Sequence, residues 1–139
     1  MSRIEVTKLD TYKGHNDSVY TLHRSQKAEK FYSGAGDGLV VEWDLRNPDS
    51  GKLIAKLDNS IYAIHLLEEA NILAVGHNYD GIHFIDLTDQ KEKASLNFTK
   101  AAIFDITSYE DKLYVGDGDG FLHIICLNPL KVLDKIQLA

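Results

Sequence analysis

The sequence predicts an all-β protein assembled from three successive four-stranded antiparallel sheets. Three observations carry that prediction. Val19-Tyr20-Thr21-Leu22, Ile61-Tyr62-Ala63-Ile64 and Ile103-Phe104-Asp105-Ile106 repeat one pattern of aliphatic, aromatic, small or polar, aliphatic, and they start at 19, 61 and 103, an unvarying step of 42 residues. Each is followed by a glycine (Gly34, Gly76, Gly116) and then by a matching strand end: Trp43-Asp44-Leu45, Ile85-Asp86-Leu87 and Ile125-Cys126-Leu127. No stretch carries apolar residues at the spacing of a long amphipathic helix. Self-similarity at this period marks a repeat architecture.

The elements follow in order. In the first unit, strands are expected over Ser18 to Arg24, Lys30 to Gly34, Leu39 to Asp44 and Lys52 to Leu57. Phe31 to Ser33 is aromatic-rich, and Leu39 to Val41 is aliphatic and largely β-branched, as strands prefer. Between them Gly34, Gly36, Asp37 and Gly38 supply the tolerance of positive φ that a tight hairpin needs. The second unit reads as Ser60 to Leu67, Ile72 to Gly76, Ile82 to Asp86 and Lys93 to Phe98. The third reads as Ala102 to Ser108, Lys112 to Gly116, Phe121 to Cys126 and Val132 to Leu138. Connections such as Glu68 to Asn71, Tyr109 to Asp111 and Arg46 to Gly51 are short and rich in turn residues. The segment Ile4 to Thr11 is expected to add one strand ahead of the first unit. Runs such as LVV, IHFI and FLHII are apolar on both faces, so each sheet should be sandwiched between neighbours. Four antiparallel strands per unit of about 40 residues is the pattern of a β-propeller blade. The units divide the chain into a strand at 4–11 and blades at 14–57, 58–98 and 99–138.

With 139 residues, 44% hydrophobic content and a net charge of −6, the chain has the composition of an ordinary globular domain. The scattered acids and the lack of any Lys/Arg cluster argue against a nucleic-acid partner. The lone cysteine, Cys126, excludes an internal disulfide framework and is expected as a small buried hydrophobe. No run approaches membrane-spanning length and MSRIEVTKLD has no apolar signal core, so no membrane partner and a cytoplasmic location are expected.

The first unit, from Gly14-His15 through Ser33-Gly34 and Asp37-Gly38 to Trp43-Asp44, resembles a WD-repeat blade. The other two resemble divergent copies: both lack Gly-His, Ile85 and Ile125 stand where Trp43 does, and Cys126 replaces the terminal Asp. The resemblance implies a hydrogen-bonded set of His15, Ser33, Asp37 and Trp43 that locks the first blade. A buried imidazole and an indole N–H both need partners, and a hydroxyl and a carboxylate can supply them. Without these residues, units two and three should pack through apolar contact.

Little else points to chemistry. Six histidines are present, but no HxH, HxxxH or Cys/His spacing suggests a metal site, and His83 and His123 simply occupy matching third-strand positions. Asp117-Gly118-Asp119-Gly120 lacks the further ligands of a calcium loop, with Phe at 121 and Asn at 128. There is no nucleophile elbow, phosphate loop or dinucleotide fingerprint. No catalytic residue, cofactor or metal is expected, and the chain is not expected to be an enzyme.

The functional signal is the aromatic inside the repeated pattern. Aliphatics three apart cannot share a face of a regular strand. If both are buried, a bulge lies between them and re-aims Tyr20, Tyr62 and Phe104. The WD-repeat resemblance implies that these residues face the top of the ring and contact a protein or peptide partner, with Ser18, Ser60, Asn78 and Tyr79 as neighbours on that face. A non-catalytic interaction scaffold is therefore expected. The alternative is a purely structural partial propeller whose surfaces serve self-assembly or complete a larger ring. Propellers close with about four to eight blades. Three blades are therefore expected either to belong to a longer propeller or to form a homo-oligomer.

Overall fold

Each repeat folds into a meander of four antiparallel strands, because short β-prone runs alternate with turns too tight for any other connection. The computed structural model describes residues 3–139. The first sheet holds β1 (Val19–Arg24), β2 (Lys30–Ala35), β3 (Leu39–Asp44) and β4 (Asn47–Lys56). The second holds β5 (Ile61–Leu67), β6 (Ile72–His77), β7 (Ile82–Asp86) and β8 (Lys91–Leu96), and the third β9 (Ile103–Tyr109), β10 (Lys112–Asp117), β11 (Phe121–Leu127) and β12 (Leu130–Gln137). In every sheet the spatial order is the chain order.

The sheets meet through their first strands, β1 beside β5 and β5 beside β9. Ile61 and Ile64 enter a core with Tyr32, Val40, Leu73 and Val75, between blades one and two. Ile103 and Ile106 do the same with Ala74, Ile82, Leu113 and Val115, between blades two and three. A fully enclosed Ile such as Ile61 or Ile103 contributes about 1.5–3 kcal/mol through area removed from water. The repeated second-strand glycine exists to admit this residue. A Cβ on Gly34 would stand 2.7 Å from Ile61 Cγ2, and one on Gly76 would stand 2.5 Å from Ile103 Cγ2. Around Gly116 nothing lies within 4 Å, since among the described residues no further sheet covers that flank.

Several expectations are corrected. Ile4 to Thr11 forms no strand, and Ile4, Val6 and Leu9 are almost fully exposed. The segment joins none of the three ladders among the described residues. Val19 and Leu22 are 51% and 65% exposed, whereas their counterparts Ile61 and Ile64 are 0% and 5% exposed. Among the described residues no sheet packs against that flank to cover them. The Arg46–Gly51 stretch is not a loop: β4 begins at Asn47 after a two-residue turn. Pro48 is tolerated there because β4 is the edge strand of its sheet. Cys126 is half-buried, since it alternates with Ile125 and faces the uncovered side of the third sheet. Finally, blades two and three do not pack by apolar contact alone; each buries a histidine-based polar group, described next.

Candidate functional site

One end of all three blades is built the same way. The turns β2–β3, β6–β7 and β10–β11 are tied to the approach of each first strand by Gly36 N–H to Ser18 O, Asn78 N–H to Ser60 O and Gly118 N–H to Ala102 O. Just beyond each tie, the first strand bulges. Pairing skips from Val19 to Thr21, from Ile61 to Ala63 and from Ile103 to Asp105. The extra residue in each case is Tyr20, Tyr62 or Phe104, which is how two aliphatics three apart can share one face.

The three rings form a continuous ladder across the blades. Tyr20 and Tyr62 have centroids 4.7 Å apart, and Tyr62 and Phe104 meet edge-on at 5.3 Å. Tyr20 is 50% exposed and Phe104 57% exposed, with the half-buried Tyr62 between them. The rings therefore pack on one another and leave their outer sides open. Of the neighbouring residues, Ser18 and Tyr79 are exposed and Asn78 is half-buried. Ser60 is spent on structure: its hydroxyl donates to Gly36 O at 3.1 Å, joining blade two to the blade-one turn.

Behind this end, each blade carries a polar fastening. In blade one, Trp43 Nε1–H donates to Ser33 Oγ at 2.7 Å, and the Ser33 hydroxyl lies 2.6 Å from His15 Nε2. His15 Nδ1 in turn lies 3.1 Å from Asp37 Oδ2. A consistent proton assignment has indole donating to hydroxyl, hydroxyl to imidazole and imidazole to carboxylate. Burial opposes ionisation of Asp37, but the N–H groups of Asn16 and Leu39 and the His15 ring outweigh it and hold the carboxyl below its usual range. Blade three uses a shorter version, in which His123 Nε2–H donates to Asp117 Oδ2 at 2.6 Å and both side chains are 1% exposed. Burial again works against ionisation of Asp117, and His123 with the N–H groups of Phe121 and Asp119 overcomes it. The sequence does not disclose this fastening, because Asp117 looks like one acid of a glycine turn.

Blade two gathers His77, Asp80 and His83, with one ligand-type atom from each lying within 4.8 Å of the others. Repeat spacing conceals this group, since His83 matches His123 and looks inherited. The signal was the turn itself: Gly76 to Gly81 is one residue longer than Gly34 to Gly38 or Gly116 to Gly120, which places Asp80 near both rings. At the opposite end of the blades a cleft of about 910 Å³ is lined by His23, His65, Phe84, Ser108 and Leu130 among others. His65 Nε2 is engaged there with Ser108 Oγ at 2.7 Å.

Known proteins share this architecture. The U3-55K structure superposes with a TM-score of 0.77 at 13% identity, covering 89% of this chain and 40% of that one. The structure of the RRP9 WD40 repeats gives 0.75 at 12% identity, again with 89% and 40% coverage. This is the WD-repeat propeller fold. In sequence, the chain is 30% identical to transducin beta-like protein 3 of Rattus norvegicus over 76 residues. That match takes in 55% of this chain and 9% of the rat protein, so the chain spans a small part of its curated relative. No protein-family model matches the chain. As a WD-repeat structure it is unclosed, and among the described residues no helix is long and apolar enough to cross a membrane. Its blades carry the aromatic ladder at one end.

Proposed function

We propose that the chain is a non-catalytic platform that binds a protein or peptide across Tyr20, Tyr62 and Phe104, in the cytoplasm. The observation that supports this reading is the bulge repeated in all three blades, which lifts one aromatic per blade into a single open ladder. Large rigid rings give contact area at low entropic cost and dominate interface energetics. Three rings spaced at 4.7 and 5.3 Å match about three residues of an extended peptide at roughly 3.3 Å each. A partner segment carrying apolar or aromatic side chains suits such a surface, with Ser18, Asn78 and Tyr79 as polar neighbours. The lone cysteine suits a reducing compartment.

A peptide-display selection on the immobilised chain tests the reading. Selected peptides should lose binding in the Tyr20→Ala/Phe104→Ala variant while its β-sheet spectrum is kept. Peptides that bind this variant as well as the parent would count against the ladder.

A second reading rests on the uncovered flanks. Exposed Val19 and Leu22 at one side and the unfilled space at Gly116 on the other favour completion of a larger ring or self-assembly. Both readings can hold in one molecule, since the ladder and the flanks are separate surfaces.

A further inference from the structure

Equivalent positions in blades two and three carry different chemistry. His83 pairs across the ladder with Val75, and His123 pairs with Val115. His77 and Asp117 each follow the repeated glycine. In blade three these two positions form a carboxylate–imidazole pair that satisfies itself. In blade two both are histidines, stacked with centroids 4.6 Å apart and planes 22° from parallel. His77 Nδ1 lies 2.8 Å from Asn78 O, and His83 Nδ1 is bonded to the Glu92 carboxylate. A carbonyl and a carboxylate can only accept, so both rings donate from Nδ1 and carry their lone pairs on Nε2. His83 Nε2 is buried and has no hydrogen-bond partner among the described residues. A ligand-type nitrogen of each ring and a carboxylate oxygen of Asp80 thus lie within 4.8 Å of one another, a donor cluster with no hydrogen bond among its members.

We propose that the β6–β7 turn of blade two binds one divalent transition-metal ion of the zinc class through His77, Asp80 and His83. Two imidazoles and a carboxylate are a donor set that zinc accepts, with water completing a fourth position. Each imidazole already has the outer partner that metal-bound histidines use to fix their tautomer: Glu92 for His83 and the Asn78 carbonyl for His77. Donor atoms within 4.8 Å of one another must draw in to about 3.3 Å around an ion with bonds of about 2.0–2.2 Å. Asp80 is the part able to move. It is half-buried, on a turn one residue longer than its counterparts, and among the described residues its side chain is held by a single 3.4 Å contact from Asn97. The same turn keeps Tyr79 at φ 77°, a conformation bulky residues rarely adopt and one found at binding sites more often than elsewhere.

The test is zinc titration by calorimetry on the 139-residue chain, freed of metal with chelator and carrying no polyhistidine tag. Cobalt(II) absorption should report the same site independently. One equivalent of zinc should bind, with affinity falling at least tenfold in Asp80→Asn and in His83→Gln. Glu92→Gln should weaken binding by about tenfold through its effect on His83, and His23→Gln, in the cleft at the opposite end of the blades, should leave it unchanged. Should His83→Gln fail to fold, Asp80→Asn decides, because that side chain is half-exposed. The proposal is overturned by absence of saturable uptake, by uptake indifferent to Asp80→Asn, or by an equal loss in His23→Gln.

Discussion

Two largely buried carboxyls contribute to the acid stability of the blades. Asp37 and Asp117 both titrate below the ordinary value of 3.8, because N–H donors and a histidine outweigh the burial that opposes their ionisation. A group with a lowered folded value stabilises the chain fully above its unfolded value and loses that contribution as pH falls through the folded one. Denaturation midpoints followed from about pH 7 to about pH 3 should therefore drop steeply at the acid end. Asp117→Asn should start lower at neutral pH and fall less over that window; parallel curves for the two proteins would remove Asp117 from this role. The blade-one fastening was legible in the sequence because its four members stand at positions a known pattern fixes. The blade-three pair was not, because Asp117 and His123 lie six apart across a hairpin and only the register brings them together.

At the scale of elements, the glycine that marks each second strand is a socket for the next blade. In the 139-residue chain, Gly76→Ala should cost about 1–3 kcal/mol by overpacking against Ile103. Gly116→Ala should be neutral or slightly stabilising, since nothing lies within 4 Å and alanine lowers the entropy of the unfolded chain. Thermal melts of the two variants check the contrast, and equal losses would refute it. Strand positions and bulges were readable because period-two burial and the three-apart aliphatics leave a direct imprint on sequence. Ile4 to Thr11 misled for a matching reason: its alternation describes a strand, but alternation cannot say whether a sheet edge is present to receive it. The early start of β4 was hidden by Asn47-Pro48-Asp49, turn chemistry that an edge strand accommodates.

The whole molecule is an arc with two different ends. Val19 and Leu22 at one end present what Ile61 and Ile64 present inside the arc, and the third blade offers the empty socket at Gly116. Apolar flanks of this kind favour association. Sedimentation of the 139-residue chain should show species larger than a monomer at high concentration, and Leu22→Glu should shift the balance towards monomer; a monodisperse monomer throughout would contradict this. The proposed interaction platform needs only the ladder end, to which each blade contributes one ring. Its most direct measurement is the affinity of a display-selected peptide for the parent chain and for the Tyr20→Ala/Phe104→Ala variant. A loss of about 2 kcal/mol or more, roughly thirtyfold in Kd, with unchanged melting is the expected result, whereas equal affinity would contradict a docking role for the aromatic ladder.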